Sequence, residues 1–387
     1  MRVEHVTKRV MIVAGEASGD MYGASLVREA QRLDPAITFF GIGGPAMRSA
    51  GVTTLVDANE MAVMGLTEVL SHFRVISRAF ATLKRILTAD PPALLILIDY
   101  PGFNLRLAAA ARKAGVRVLY YISPKVWAWR AGRARTIAAT VDHVAVIFPF
   151  EVPIYQRVGA AVTFVGHPLI DMVQPTMKPQ EARIAFGLSG GRRTVGLFPG
   201  SRRSEIRALM PVIIESARLL KRQFPDLQFI LPLASSLERS DLAPWLDGAG
   251  VEVSVIENRA YDVMQLCDAI IAVSGTVTME IAFFGVPMVI IYKVAPLTYA
   301  IGKRLVKVEH AGICNIVANE RVAPELIQHD AEPVRIAAEV SRMLTDREYA
   351  AAMSAKLLAI REKLGTSGAS ARVAQLAVAM LGTGNRR

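Results

Sequence analysis

No apolar run in this chain approaches the ~18 residues that a membrane-spanning helix requires. The strongest ones, residues 93–98 and 286–292, are short enough to be buried strands. Cysteine is scarce: Cys267 and Cys314 are the only two. Both stand in apolar surroundings and cannot build a disulfide framework, which fits a reducing cytoplasm. No His/Cys/Asp cluster has metal-ligand spacing, so neither a structural nor a catalytic metal is expected. Aromatic residues make up only 7%, and no RNP-like or zinc-finger spacing occurs, which disfavours a dedicated nucleic-acid module. The N-terminus is basic but has only a five-residue apolar stretch and no A-x-A pattern, so no secretory signal is expected.

What is present is core material: 52% of 387 residues are hydrophobic, which excludes intrinsic disorder. At roughly 150 residues per domain, this length suggests two domains. Lys and Arg exceed Asp and Glu by 11, a surface that attracts nucleic acid, anionic lipid headgroups or phosphorylated substrates. Short Val/Ile/Leu runs at 9–13, 38–42, 94–98, 116–122 and 143–148 read as strands, and 194–198, 227–231, 251–256, 269–273 and 288–292 repeat the rhythm. They lack polar alternation, as expected of parallel strands covered on both faces. Helical patterns lie between them, at 21–33, 104–114, 207–223 and 276–284. The fold class is therefore α/β, with two doubly wound domains facing each other. A polar stretch with two prolines, 172–183, is the expected boundary.

Four strand-to-helix turns could carry chemistry. Gly15-Glu16-Ala17-Ser18-Gly19-Asp20 follows the first strand, and its glycines permit tight turning beside a helix start. Glu16 and Asp20 would repel a pyrophosphate, so a sugar or an acceptor hydroxyl fits better. Capping of the helix by Ser18 and Asp20 is the plainer reading. Asp99 ends a buried run and precedes Tyr100-Pro101-Gly102-Phe103-Asn104. A carboxylate ringed by apolar residues at a strand's carboxyl end is suited to accept a hydroxyl proton, and a structural role in the Pro-Gly turn is the alternative.

In the second half, Gly200-Ser201-Arg202-Arg203 follows the first strand. Gly200 and Ser201 are expected to expose backbone N–H groups, and the arginines offer fixed charge to a diphosphate. Ser274-Gly275-Thr276 opens another helix, whose N–H groups would point at phosphate oxygens, with Glu280 one turn on to accept from a ribose diol. Capping by Ser274 or Thr276 accounts for this last pattern equally well.

Other features concern apolar contact. Trp127 and Trp129 sit with Lys125 and Arg130 in a post-strand loop suited to a sugar face or a lipid edge. His167 reads as structural. Residues 72–88 form a basic amphipathic helix, with Phe73 and Phe80 on its apolar face, which covers a sheet or lies on anionic lipid. Met61 and Met64 precede it in an apolar stretch able to adapt to acyl chains. Residues 297–308 place Lys303, Arg304 and Lys307 beside apolar side chains.

The ordered set AGEASGD, GIGGPAM, IDYPGFN, YYISPKVWAWR, VGHPL, FPGSRRSEI, SGTVTMEIA and NER-x-x-PELIQ runs from Ala14 to Gln328. In combination it resembles the lipid-A-disaccharide synthase family. The resemblance implies a GT-B architecture of two Rossmann-like domains across a cleft, here 1–172 and 173–364, with the helix 365–387 returning to the N-terminal domain. It implies an inverting transfer of 2,3-diacylglucosamine from its UDP derivative to 2,3-diacylglucosamine 1-phosphate, giving a β(1→6) disaccharide 1-phosphate and UDP. Asp99 with Glu16 nearby would be the base, and Asn315, Glu325 and Gln328 would complete the UDP pocket. Met61–Phe80 and the tryptophan loop would hold the acyl chains of both lipid-linked sugars.

The resemblance further implies no cofactor or metal, no nucleic acid, and a peripheral place on the anionic cytoplasmic face of the inner membrane of a Gram-negative bacterium. A homo-oligomer is compatible with the sequence. Residues 308–315 depart from the family pattern, being less apolar and lacking a proline before Asn315. Another UDP-sugar enzyme, such as a UDP-N-acetylglucosamine epimerase, is the alternative among enzymes. Outside them it is a nucleic-acid-binding protein, which salt-dependent, UDP-indifferent binding would reveal.

Overall fold

The computed structural model describes residues 8–61, 66–124, 126–127, 132–294, 299 and 309–382, with backbone alone for 59 and 66–73. The chain divides into two units, Met1–Pro168 with Leu364–Arg387, and Leu169–Lys363.

The first unit is built on seven parallel strands: β1 (Lys8–Ala14), β2 (Ile37–Gly43), β3 (Thr53–Asp57), β4 (Leu94–Ile98), β5 (Val118–Tyr121), β6 (His143–Val146) and β7 (Val162–Phe164). Their spatial order is β3-β2-β1-β4-β5-β6-β7. The central strands are buried along nearly their whole length, because helices cover both faces. One face carries Met11, Val13, Leu95 and Leu97 under Leu83 and Leu87 of helix Leu66–Ala89 and Leu107 of helix Pro101–Lys113. The other receives helix Ala17–Leu33, so close that a Cβ on Gly23 would lie 3.2 Å from Ile98 Cδ1.

The C-terminal helix Ala369–Gly382 belongs to this unit and packs against helix Ala17–Leu33. Its buried residues include Ala369, Val373, Ala374 and Ala377, whose small side chains permit a close approach. The guanidinium of Arg372 donates to the carbonyls of Val165, Thr366 and Ser367 at 2.7, 2.6 and 2.8 Å, and the His167 N–H donates to Leu364 O at 3.0 Å.

The second unit has six parallel strands: β8 (Thr194–Phe198), β9 (Gln228–Leu233), β10 (Val253–Glu257), β11 (Ala269–Val273), β12 (Met288–Tyr292) and β13 (Glu325–Ile327). Their order is β10-β9-β8-β11-β12-β13. The division of the chain falls ahead of 172–183, which joins the second unit. Asp262 holds it there, accepting the N–H groups of Thr176 and Met177 at 2.8 and 2.9 Å and the Thr176 hydroxyl at 2.8 Å.

Three strands were not apparent as apolar runs: β3, β7 and β13. All are short and only partly buried, and each of the three ends a sheet, so the continuous Val/Ile/Leu signature is missing.

Candidate functional site

In each sheet the strand order reverses between the first and fourth strands, where ligands of open α/β sheets bind beyond the carboxyl ends. In the first unit, Ala14 of β1 pairs with Ile98 of β4, so 15–20 and 99–104 emerge side by side. Gly15 is required there by packing: a Cβ on it would lie 2.5 Å from Cγ of Tyr100.

Asp99 and Tyr100 both adopt left-handed backbone conformations, with φ of 44° and 45°. For side-chain-bearing residues this costs about 1–3 kcal/mol each, and such strain gathers at functional sites. The Asp99 carbonyl accepts the Tyr120 hydroxyl at 2.9 Å and the Asn104 amide at 2.7 Å. Burial and then the charge of Glu16 raise the Tyr100 pKa, which puts Glu16 and the Asp99–Tyr100 turn in one electrostatic neighbourhood. The Tyr100 hydroxyl donates to Met61 O at 3.0 Å.

Asp20 does something else. It is buried and accepts the N–H groups of Gly44, Ala46 and Met47 at 2.7, 2.9 and 3.0 Å. Its carboxylate caps the short helix Pro45–Ser49 rather than its own helix. Helix Ala17–Leu33 has Glu16 at its N-cap position and no side-chain cap, so Ser18 does not cap it either.

Trp127 stands half-buried against Phe150 and Phe148, with ring centroids 5.4 and 6.5 Å away, both edge-on. Its indole N–H donates to buried Glu151 at 3.2 Å, and the other Glu151 oxygen accepts the Phe148 N–H at 3.2 Å. His167 is buried beside Phe148, in keeping with a structural role. The expected lipid contacts fare differently. Met61 is fully buried in the core beneath the sheet-covering helix, so its side chain does not line an acyl groove. Phe80 packs edge-on against Phe103 at 5.7 Å, as part of the layer that covers the sheet. Met64, the Phe73 side chain, Trp129 and residues 300–308 lie outside the described residues.

In the second unit the corresponding turns follow β8 and β11, whose Phe198 and Ala272 pair. Gly200 has φ 110°, and a Cβ there would lie 2.2 Å from Glu205 Oε2. The same oxygen accepts the Ser201 N–H at 3.1 Å. The Ser201 N–H is therefore occupied from within, contrary to the expectation that it faces a phosphate. Ser201 O accepts the Ser236 hydroxyl at 2.6 Å. Arg202 sits at the N-cap position of helix Arg203–Gln223, 3.4 Å from Glu205 and 46% exposed. Arg203 turns away to Asp241 at 2.9 Å.

Neither hydroxyl after β11 caps helix Val277–Phe284. Ser274 donates to Ala311 O at 2.9 Å, and Thr276 occupies the N-cap position without a side-chain bond. Among the described residues nothing lies within 4 Å of a Cβ placed on Gly275. An uncapped helix start with an unobstructed glycine is suited to an anion. Burial pushes the pKa of Glu280, in the first turn, up to about 7.

Asn315, Glu325 and Gln328, expected in the UDP pocket, bond nearby backbone. Glu325 accepts the N–H groups of Ala311 and Gly312 at 2.9 and 2.8 Å and the Asn315 amide at 2.8 Å. Asn315 is fully buried and exchanges hydrogen bonds with Ala323 N–H and O at 2.9 and 2.8 Å. Gln328 does the same with Val294 N–H and O, both at 3.0 Å. Through these bonds the three side chains hold the backbone at 294, 311–312 and 323. Tyr120, Glu151, Glu205 and Ser236 were missed as contributors. The only hint of the first was a phenol inside a buried strand, where a hydroxyl needs a partner.

Residues 10–379 match the family model described as lipid-A-disaccharide synthetase. The chain is 64% identical over 379 residues to the lipid-A-disaccharide synthase of Geobacter sulfurreducens, covering 98% of this chain and 99% of that one. Against the synthase of Nitrosococcus oceani identity is 50% over 379 residues, covering 98% of each. Among solved structures, UDP-GlcNAc 2-epimerase from Neisseria meningitidis bound to UDP-GlcNAc superposes with a TM-score of 0.67 at 15% identity, over 96% of this chain and 100% of that one. The calicheamicin glycosyltransferase CalG4 gives 0.61 at 15% identity, over 98% and 99%. These structural likenesses show the fold, of GT-B type.

Proposed function

The chain belongs to the lipid-A-disaccharide synthase family and is a glycosyltransferase of lipid A biosynthesis, and from that premise we propose which of its groups carry the transfer. The reaction moves 2,3-diacylglucosamine from its UDP derivative to 2,3-diacylglucosamine 1-phosphate, forming the β(1→6) disaccharide 1-phosphate and UDP. Asp99, with Glu16 beside it, takes the proton of the acceptor's 6-hydroxyl. The oxygen attacks the anomeric carbon from the face opposite UDP, and the configuration inverts.

The leaving diphosphate meets the uncapped start of helix Val277–Phe284 at Ser274, Gly275 and Thr276, and the guanidinium of Arg202 on the turn of Gly200 and Ser201. These dipoles and charges are in place before the bond breaks and stabilise the developing negative charge without a metal ion. Glu280 accepts from the ribose diol. Asn315, Glu325 and Gln328 shape the pocket through the backbone they hold.

Trp127 offers an apolar edge to acyl chains. Among the described residues no helix is long and apolar enough to cross a membrane. The excess of 11 positive charges supports a peripheral place on an anionic bilayer.

The observation that carries this reading is the pair of turns at the two reversal points, one centred on a strained Asp99 and the other on Arg202 and an uncapped helix. A transfer assay in mixed micelles with EDTA tests it, both substrates being supplied and products read by mass spectrometry. A tetraacyl disaccharide phosphate with stoichiometric UDP is expected. UDP release without disaccharide would point to another acceptor, and restoration of turnover only by a divalent ion would refute the metal-free part.

A further inference from the structure

The turn that carries Asp99 is held by two side chains that bond its backbone carbonyl. Tyr120 and Asn104 are both fully buried. The Tyr120 hydroxyl comes from the neighbouring strand β5 and donates to Asp99 O at 2.9 Å. The Asn104 amide comes from the helix that follows and donates to the same carbonyl at 2.7 Å and to Ile98 O at 3.2 Å. On its other side, the Asp99 N–H is shared between Tyr121 O and Ile122 O, each at 3.2 Å. Asp99 and Tyr100 are thus pinned in left-handed conformations that an unsupported aspartate and tyrosine would leave.

Resting on the reading of Asp99 as the base, we propose that Tyr120 and Asn104 are positioning residues, which fix the direction of the Asp99 carboxylate through its backbone carbonyl. The carbonyl must point inward to meet both donors. That rotation of the peptide decides where Cβ and the carboxylate project. Loss of either donor lets the turn relax toward ordinary conformations and moves the carboxylate off line.

The test compares Tyr120→Phe, which removes one oxygen from a side chain otherwise kept in the core, with Asn104→Ala. Each is made in the native enzyme and in an Asp99→Asn background. In the native enzyme each lowers kcat by about tenfold or more, since displacements near 1 Å have such effects. UDP affinity by calorimetry stays unchanged, and the acid limb of the kcat/KM profile is displaced. In the Asp99→Asn background neither lowers the residual turnover further.

The positioning role is overturned if both variants keep kcat within about twofold of native with an unmoved acid limb. It is also overturned if each loses as much in the Asp99→Asn background as in the native enzyme. Native turnover in Asp99→Asn itself would instead remove the base assignment, and this role with it.

Discussion

The carboxylate of Glu205 accepts the backbone N–H of Ser201 at 3.1 Å, from one turn inside the helix into which that loop runs. Oε2 fills the space that a side chain on Gly200 would need, while Oε1 lies 3.4 Å from the Arg202 guanidinium. The loop is shaped from within, and among the described residues Arg202 is tethered only by an exposed pair worth at most about 1 kcal/mol. Its guanidinium is available to a diphosphate. Arg202→Ala is therefore expected to weaken UDP binding by roughly 10- to 100-fold, as for a lost charge-assisted hydrogen bond, without lowering Tm. Isothermal calorimetry with UDP checks it, and unchanged affinity removes Arg202 from the pocket.

Asp99→Asn keeps the shape of the side chain and its tolerance of the left-handed region while abolishing its basicity. Turnover in mixed micelles is expected to fall by about 10²- to 10⁴-fold. UDP affinity should stay at the native value, because the diphosphate is assigned to groups of the other unit. A variant that turns over normally would show that another group, with Glu16 first to be tried, takes the proton.

The strands that flank the two points of reversal were legible because they are buried on both faces, although their order in the sheet was not. Strands β4, β8, β11 and β12 begin and end where their apolar runs do. The glycine turns after them were legible for the same reason, since a run that stops at Gly or Asp-Tyr-Pro-Gly must turn there. Polar side chains with distant partners were not. Asp20 spends its carboxylate on N–H groups 24 to 27 residues ahead. Glu325 reaches back to 311–312, and Gln328 to 294. Local spacing offers no sign of such pairings, which tie distant loops together. The lipid-facing reading of Met61 failed differently, because an adaptable side chain suits a core as well as an acyl chain.

Glu280 supplies a pH dependence with a definite sign. Burial holds its pKa near about 7 against an ordinary 4.5, so it is mostly protonated at the acid side of neutrality and ionised above it. An ionised carboxylate accepts more strongly from a ribose diol, so UDP affinity should rise as pH climbs through about 7. Glu280→Gln should flatten that rise. For the unliganded protein the linkage runs the other way. Between about 4.5 and about 7 the unfolded chain gives up a proton that the folded one keeps, so this group makes stability fall as pH increases. The glutamine variant should lack that fall. Calorimetry with UDP and thermal unfolding at several pH values measure the two effects, and parallel pH profiles for native and variant would dismiss the assignment.

Arg372 ties the chain's last helix to the end of the first unit's sheet. Its guanidinium serves the carbonyls of Val165, Thr366 and Ser367, and a Cβ on Gly166 would lie 2.7 Å from its Nη2. Arg372→Ala leaves those carbonyls to find water and loosens Leu364–Gly368, the stretch that returns the chain to this unit. A cost of about 2 kcal/mol is expected, the range of hydrogen bonds to a charged donor. In urea this moves the unfolding midpoint down by about 1 M. Trp245 belongs to the other unit, so in a Trp245→Phe background the remaining tryptophan fluorescence, from Trp127 and Trp129, follows the first unit alone. The midpoint seen by that signal should drop, while UDP binding, assigned to the second unit, keeps its affinity at low denaturant. An unmoved midpoint would mean that the packing of Ala369, Val373 and Ala377 against helix Ala17–Leu33 holds the C-terminal helix without help from Arg372.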